Sequence, residues 1–462
     1  MSPTLDRVLD RIDATLDESL ERLFELVRIP SISTDPAFAA DVAAAADWAA
    51  RDLASIGFSA AVRTTPGHPM VVGHWQGPVE RDAPHVLFYG HYDVQPVDPI
   101  ELWHRPPFEP AIETRPDGSR ILLGRGTADD KGQFLTFIEA CRAHVAVTGK
   151  LPVRVTVFLE GEEESGSPSL PAFLDENHDE LACDLALVCD TDMWDRSTPA
   201  ITATLRGLVG EEVIIRCANR DLHSGLYGGP ALNPIRVLAG ILADLHDANG
   251  AVTLPGFYEG VGEPPADLRV QWDAIGLTAA EFLGPVGLSQ PAGEMGRSML
   301  EQMWMRPTAE INGILGGYAG DGFKTVLPAT ATAKVSFRLV AGQDPQAVRD
   351  AFRAFVTQRL PKDARAEFKS HGASPGLAVA FDSPALRSAQ RALTEEWGTP
   401  ALIIGSGGSI PVVGNFNRQL GMDSVMIGFG LDDDRVHSPN EKYELSSFHK
   451  GIRSWARILA VL

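Results

Sequence analysis

The stretch VLFYGHYDVQP, residues 86–96, is the part of the sequence that decides the fold. Its first four residues form an apolar run typical of a buried strand, so His91 and Asp93 lie where that strand ends. Two residues apart in an extended segment, their side chains point the same way. An imidazole can bind a metal through one nitrogen while a carboxylate holds the other N–H. By itself, such a pair is more often an ordinary surface histidine beside an aspartate than a metal site.

Two further apolar runs, at residues 153–159 and 185–189, resemble the first. Continuous runs separated by helical patterns are typical of a mostly parallel sheet that helices cover on both faces. Ligands of such sheets gather at the carboxyl ends of the strands. Glu163, Glu164 and Asp190 follow these two runs, so we expect them near His91. The sequence therefore predicts an α/β domain with a polar site at one edge of its sheet.

The pattern changes between residues 206 and 382. A strand, a helix, two strands, a helix and a strand follow one another there, interrupted by a Pro/Gly-rich stretch to about Pro285. This order predicts a ferredoxin-like α+β domain inserted into the first. The predicted catalytic domain thus has two parts, residues 1–205 and 383–462. At the start of the chain, apolar spacing over residues 5–27 predicts one long amphipathic helix.

Composition excludes several classes of partner. With 61 acidic against 40 basic residues, the net charge is −21, which argues against nucleic acid or an anionic membrane. The four cysteines have no C-x-x-C spacing and are best explained as thiols in a reducing compartment. No apolar run approaches a membrane-spanning length, and the N-terminus lacks a signal-peptide core. We therefore expect a cytoplasmic protein that does not enter a membrane.

Six groups are expected at the strand ends, and one of them is a second histidine that follows the last predicted strand. They are His91, Asp129, Glu163, Glu164, Asp190 and His437. Two imidazoles with several carboxylates suit Zn²⁺ or Mn²⁺. A pair of metals needs one bridging carboxylate, a histidine and a carboxylate on each ion, and one carboxylate left free as a base. Six groups satisfy this count, whereas carboxylates that merely cap helices would explain one of the motifs but not all of them.

The resemblance to a known family rests on six motifs. They are GHYDVQP at 90–96, GRGTADDKG at 124–132, EESG at 163–166, DLHSG at 221–225, GGSIP at 407–411 and HSPNE at 437–441. With these motifs the chain resembles the M20 family of dinuclear metallopeptidases, in particular its carnosinase-like cytosolic dipeptidases. The resemblance covers nearly the whole sequence.

The resemblance implies a role for each member of the cluster. His91, Asp190 and Asp129 would bind one metal, and the shared Asp129 would bind the other with Glu164 and His437. The expected cofactors are two Zn²⁺ per chain, with Mn²⁺ possible. A hydroxide between the metals would attack the amide carbonyl.

Two catalytic roles beside the metals follow from the same resemblance. Glu163 would be the general base, and Asp93 would orient His91. The family also has a non-proline cis peptide after the bridging aspartate, here Asp129–Asp130.

The inserted domain is implied to be a lid and dimerisation domain of a homodimer. His223 would stabilise the oxyanion from across the dimer, and four residues would hold the carboxylate end of the substrate. These four are Thr325, Arg338, His371 and Ser409. An Arg fork with hydroxyl donors is well suited to a terminal carboxylate.

The sequence departs from the family pattern at one point. Carnosinase-like members commonly have an Arg-Glu pair before the Gly-Gly-Ser, whereas this chain has Gly405-Ser406. If the acidic group holds the free amine of the substrate, a strict preference for dipeptides is open to question.

The expected activity is hydrolysis of the amide bond of dipeptides or short peptides. The alternative is an N-acyl-amino-acid deacylase of the acetylornithine deacetylase or succinyl-diaminopimelate desuccinylase type. An inactive homologue that only binds would require loss of a ligand or of Glu163, and all are present.

Overall fold

The computed structural model describes residues 3–408 and 410–462. The chain forms two compact units. The first comprises Met1–Ala203, Val379–Ile404 and Asn415–Leu462, and the second comprises Thr204–Ala378 and Gly405–Gly414. The predicted domain boundaries stay a prediction. The segment 405–414, which they assign to the catalytic domain, groups with the second unit.

The α-helices are distributed over both units. In chain order they are α1 Pro3–Ala14, α2 Leu16–Val27, α3 Ala39–Ile56, α4 Lys131–Thr148, α5 Leu170–Glu176, α6 His178–Leu181, α7 Ser224–Tyr227, α8 Pro234–Ala243, α9 Ala266–Ile275, α10 Ala279–Leu283, α11 Met299–Trp304, α12 Pro345–Gln358, α13 Pro384–Trp397, α14 Pro411–Leu420 and α15 Leu445–Leu459. None of the helices that the structure describes is both long enough and apolar enough to cross a membrane.

The strands are numbered in the same way. They are β1 Phe58–Arg63, β2 Met70–Trp75, β3 His85–His91, β4 Ala111–Thr114, β5 Arg120–Leu123, β6 Arg154–Glu160, β7 Leu185–Val188, β8 Ala200–Leu205, β9 Gly207–Arg216, β10 Leu222–His223, β11 Thr308–Gly316, β12 Val326–Leu327, β13 Thr330–Leu339, β14 Arg365–Ser374, β15 Leu377–Ala378, β16 Leu402–Ser406, β17 Ser424–Met426 and β18 Lys442–Glu444.

The first unit is built on a sheet in which β1, β2, β6, β3, β7, β17 and β8 are neighbours in that order. The central pairs β6–β3, β3–β7 and β7–β17 are parallel, and the pairs toward both edges are antiparallel. After their first residues, the middle strands β3, β6 and β7 are buried throughout, as is expected for continuous apolar runs. The predicted fold class, a mostly parallel sheet with helices, is confirmed.

Aromatic rings pack two helices, α4 and α15, against this sheet. Phe88 of β3 stacks on Phe137 of α4, with ring centroids 3.8 Å apart. Trp455 of α15 meets both rings edge-on, at 5.7 Å and 5.5 Å. Such aromatic pairs contribute about 0.5–1.5 kcal/mol beyond the area that they bury. This packing fixes the start of α4, which directly follows the Asp129–Asp130 pair.

The prediction of one long N-terminal helix is wrong, because the helix is interrupted at Thr15. Thr15 has φ −117° and ψ 18°, outside the helical region. Its hydroxyl donates to the carbonyl of Arg11 at 2.8 Å. A hydroxyl that bonds back to the preceding turn competes with the helix and bends it. The apolar spacing is the same on both sides of the break, so periodicity could not reveal it.

The second unit contains the predicted ferredoxin-like arrangement. Its sheet has the order β11-β13-β9-β14, with all neighbours antiparallel. Alternate residues of β9 and β13 are buried against the apolar sides of α8 and α12. The Pro/Gly-rich stretch up to about Pro285 is partly helical. It contains α9 and α10, and α10 begins at a capping box of Thr278 and Glu281.

Candidate metal centre

The parallel strands of the first unit deliver polar groups to one edge of the sheet. His91 ends β3 and lies beside Glu160, the last residue of β6. The chain then turns through a short 3₁₀ helix at Glu163–Ser165. On the other side of β3, the strand β7 ends at Val188, two residues before Asp190. The predicted convergence at the carboxyl ends of the strands therefore has a direct cause in the register of the sheet.

Two overlapping clusters of ligand atoms lie at this edge. In the first, one ligand atom each from His91, Asp129 and Asp190 lie within 4.8 Å of one another. In the second, the same is true of Asp129, Glu164 and His437. Asp129 belongs to both clusters, with Oδ1 3.1 Å from His91 Nε2 and Oδ2 3.0 Å from His437 Nε2. The Oε2 atom of Glu164 lies 3.2 Å from the same nitrogen of His437.

Buried atoms without partners indicate that these groups fit divalent ions. His91 Nε2 is buried and forms no hydrogen bond, despite its distance of 3.1 Å from Asp129 Oδ1. Burial, together with the charge of Asp129, raises the pKa of Glu164 to about 7. Burial also raises the pKa of Asp190. Carboxylates crowded in this way are stabilised by a cation, and the set of imidazole and carboxylate donors suits Zn²⁺ or Mn²⁺.

The environment of His91 differs in detail from the expected one. Its Nδ1 lies 3.1 Å from the main-chain oxygen of Asp93 and 3.4 Å from the carboxylate oxygen Oδ1. The other carboxylate oxygen of Asp93 accepts the backbone N–H of Glu164 at 3.0 Å. Asp93 therefore contacts a residue from each of the two clusters. A second residue of the same motif, Gln95, donates to Glu164 Oε2 at 2.7 Å and was missed from the sequence.

The backbone at the shared ligand has an unusual geometry. The Asp129–Asp130 peptide is cis, as the resemblance implied. The carboxylate of Asp130 accepts the backbone N–H of His91 at 2.9 Å. Gly90 is required nearby, because a Cβ atom there would lie 2.7 Å from that carboxylate and 2.5 Å from Phe134 Cβ. On the opposite side of the centre, His437 adopts a φ of +61° in the loop between β17 and β18.

Comparison with known proteins decides the family. The sequence pattern of the peptidase family M20/M25/M40 matches residues 87–461. The chain belongs to this family. The predicted family and the predicted hydrolase class are thereby confirmed.

Relatives in this M20 family are similar over almost their full length. The Cys-Gly metallodipeptidase dug1 of Schizosaccharomyces pombe is 29% identical, over 98% of this chain and 97% of its own. The human Beta-Ala-His dipeptidase is also 29% identical, over 98% and 91%. Among solved structures, the M20 family metallo-carboxypeptidase Sso-CP2 from Sulfolobus solfataricus has a TM-score of 0.79 at 28% identity, over 96% of this chain and 99% of that one.

Glu163 has the surroundings that a proton acceptor needs. It is partly buried in the 3₁₀ turn, and its carboxylate forms no hydrogen bond with any residue that the structure describes. Burial raises its pKa, and the charges of Asp129 and Asp93 act in the same direction, while His91 opposes them. The neighbouring Glu162, in contrast, is occupied by hydrogen bonds from two other loops. Of these two neighbouring carboxylates, Glu162 is the hydrogen-bonded one, and the assignment of Glu163 as the base stays a prediction.

The second unit carries the other predicted site residues. His223 ends β10, opposite Val326 of β12, which follows directly after Thr325. The His223 side chain is exposed, and its Nδ1 accepts the N–H of Gly225 at 3.0 Å, which places the proton of the neutral ring on Nε2. The backbone of Ser224 donates to the carbonyl of Thr325 at 3.0 Å. The structure thus brings His223 and Thr325 together.

The remaining predicted substrate contacts are spread over the larger sheet of the second unit. Arg338 lies near the end of β13, and His371 lies on β14, where its Nε2 is 3.8 Å from Glu212 Oε2. Ser409 lies outside the residues that the structure describes. A Cβ atom at Gly405, where the sequence departs from the expected pattern, would lie 2.3 Å from Thr204 Oγ1 and 2.5 Å from Trp304 Cβ. The missing Arg-Glu pair is therefore accompanied by a tryptophan that fills this space.

Proposed function

We propose that this chain is a metal-dependent dipeptidase, which hydrolyses the amide bond of dipeptides or short peptides. One observation carries the proposal: the two carboxylate oxygens of Asp129 face the imidazoles of His91 and His437. A single carboxylate between two histidines is the arrangement that a pair of divalent ions requires. The names of the full-length relatives, Cys-Gly metallodipeptidase and Beta-Ala-His dipeptidase, support a dipeptide over an N-acyl amino acid as the substrate.

The proposed ligand sets follow the two clusters. His91, Asp129 and Asp190 would hold one ion, and Asp129, Glu164 and His437 would hold the other. When bound, two Zn²⁺ or Mn²⁺ ions would supply an activated water and polarise the scissile carbonyl.

Proton transfer is assigned to Glu163. Its unpartnered carboxylate would take a proton from the attacking water and pass it to the leaving amine. The raised pKa of Glu163 favours this double role, because the group must first accept a proton and then release it.

The substrate contacts remain assignments by resemblance to the family. Arg338 would bind the terminal carboxylate with a bidentate guanidinium, assisted by Thr325, His371 and Ser409. His223 would donate its Nε2–H to the oxyanion of a second subunit, so that the working enzyme is a homodimer. The accessible position of His223 and the tautomer set by Gly225 support this role. We place the protein in the cytoplasm, because its cysteines are free thiols.

A panel of substrates tests this function. Purified protein should be loaded with Zn²⁺ or with Mn²⁺ and incubated with dipeptides, including Cys-Gly and β-Ala-His, and with N-acetyl and N-succinyl amino acids. We expect kcat/KM for the best dipeptide to exceed that for every N-acyl amino acid. A higher kcat/KM for an N-acyl substrate, with both metals tried, would replace this proposal by the deacylase alternative.

A further inference from the structure

The carboxylate of Glu441 collects hydrogen bonds from one short segment of the first unit. Glu441 is fully buried. Its Oε2 accepts Arg125 Nη1 at 2.8 Å and the backbone N–H of Gly126 at 2.9 Å. Its Oε1 accepts the backbone N–H of Ala128 at 2.9 Å and that of Asp129 at 3.2 Å. Four donors therefore converge on one side chain, and one of them is the amide of the shared ligand itself.

Glu441 is also joined by the chain to the other side of the centre. It follows His437 in the loop that precedes β18. Asn440 fixes this loop from outside, since its amide group accepts the N–H of His104 at 2.7 Å and donates to the carbonyl of Leu102 at 2.8 Å. The one buried carboxylate thus connects the segment that carries Asp129 with the loop that carries His437.

We propose that Glu441 is a positioning residue, which sets the place of Asp129 relative to His437 before any metal binds. This inference rests on the proposed metal assignment. Convergent backbone N–H groups need an acceptor when they are buried, because an unpaired donor loses its hydrogen bonds to water without replacement. Without Glu441 the 125–129 segment would have to rearrange to satisfy these donors, and Asp129 would move with it.

The charge of Glu441 has a second consequence. The guanidinium of Arg125 is almost fully buried, and Glu441 is its ion-pair partner, at 2.8 Å. The other terminal nitrogen of Arg125 donates to the carbonyl of Pro96, at the end of the motif that contains His91. Neutral replacements of Glu441 leave this buried cation uncompensated, so they disturb a third segment of the centre. Groups that orient metal ligands in this way typically contribute about 10–100-fold to metal affinity.

The test compares two buried carboxylates of the first unit. Glu441→Gln presents an N–H₂ group to donors, and Glu441→Asp is too short to reach all four donors, which are three backbone amides and the Arg125 guanidinium. The matched control is Glu139→Gln, because Glu139 is also buried and accepts from Ser19 and Arg22, which belong to neither metal cluster. Holoenzymes are titrated with EDTA, and the metal retained per chain is measured together with the melting temperature.

We expect both Glu441 variants to lose metal at about 10–100-fold lower EDTA than wild type. Glu139→Gln should lower the melting temperature by as much or more and yet release metal at the wild-type EDTA concentration. Wild-type retention in both Glu441 variants would overturn the inference. A wild-type chain that holds no pair of metals would instead refute the proposed function, so the two failures are distinguishable.

A second measurement does not depend on whether the variants fold. In the wild-type protein, amide exchange of Gly126, Ala128 and Asp129, whose N–H groups donate to Glu441, is followed before and after EDTA treatment. The inference predicts that these amides remain protected once the metals have left, because a side chain holds them. Loss of protection on metal removal, whether or not the rest of the fold is kept, would overturn the inference, since the metals would then hold the segment.

Discussion

His91 Nε2 lies 3.1 Å from Asp129 Oδ1, and yet the two atoms do not form a hydrogen bond. Both groups are buried, and a buried polar atom is rarely left without a partner. The pair is therefore explained best by a third group that both atoms bind. The same carboxylate extends its other oxygen to His437, at 3.0 Å. This relationship, rather than any single motif, is the reason for proposing two metals at the edge of the sheet.

The first prediction concerns the general base. Glu163→Gln should keep the fold and the metal content but lower kcat by about 10²–10⁴-fold, because an amide cannot accept the proton of the attacking water. Steady-state kinetics and metal analysis of the same preparation check this outcome.

Glu162→Gln is the control for this prediction. Glu162 already accepts the N–H groups of His68 and Ser169, so its loss should lower the melting temperature and leave kcat within a few-fold of wild type. If Glu162→Gln abolishes turnover while Glu163→Gln does not, the base has been assigned to the wrong carboxylate.

The second prediction concerns the homodimer. His223→Ala should lower kcat by about 10²–10³-fold with unchanged metal content, because one oxyanion donor is lost. When His223→Ala is mixed with Glu163→Gln under conditions that exchange subunits, each mixed dimer contains one site with both groups intact. With equal amounts and random exchange, about a quarter of the wild-type activity should return.

Subunit exchange must be shown independently, for example with two fluorescent labels. Exchange without recovery of activity would mean that His223 acts in its own chain or has no catalytic part. Mixing Glu163→Gln with Glu163→Ala gives the baseline, since no combination of those two chains restores a site.

The third prediction concerns stability and pH, away from the metals. Burial alone would raise the pKa of Glu139, but the hydrogen bond and charge of Arg22, together with the charge of Arg142, lower it. A carboxyl whose pKa is lower in the folded chain stabilises it above the unfolded pKa, about 4.3, and this contribution is lost as pH falls through the folded pKa. Glu139→Gln should therefore destabilise the fold by about 1.5–3 kcal/mol at pH 7 and by less at pH 3.

Thermal unfolding at both pH values measures this difference. Glu21→Gln is the matched control, since Glu21 is exposed on the same helix as Arg22 and should change the melting temperature little. An equal destabilisation by Glu139→Gln at pH 7 and pH 3 would show that packing, rather than the ion pairs, accounts for the effect.

The strand ends were predictable because the relevant signals are local. Three continuous apolar runs predict parallel strands, and the carboxyl ends of parallel strands meet at one edge. His91, Glu164 and Asp190 can therefore be grouped from the sequence alone. Their assignment to particular ions needed the resemblance to the M20 family, since spacing alone does not say which ligands share a metal.

Other features depend on contacts between distant segments and left no local signal. The sheet of β18, β5 and β4 was not predicted, because its strands are short and β18 is far from the other two in the sequence. The role of Glu441 was missed although its motif was recognised, since its partners lie at residues 125–129. The break at Thr15 depends on a single hydroxyl within a regular apolar pattern.

The metal content of the purified chain tests the central claim most directly. After mild dialysis, metal analysis of the wild type should give close to two divalent ions per chain, and Asp129→Ala should give fewer, because it removes the carboxylate common to both clusters. Circular dichroism should show that the variant keeps its fold. A wild-type content of one ion per chain, unchanged in Asp129→Ala, would contradict the shared site.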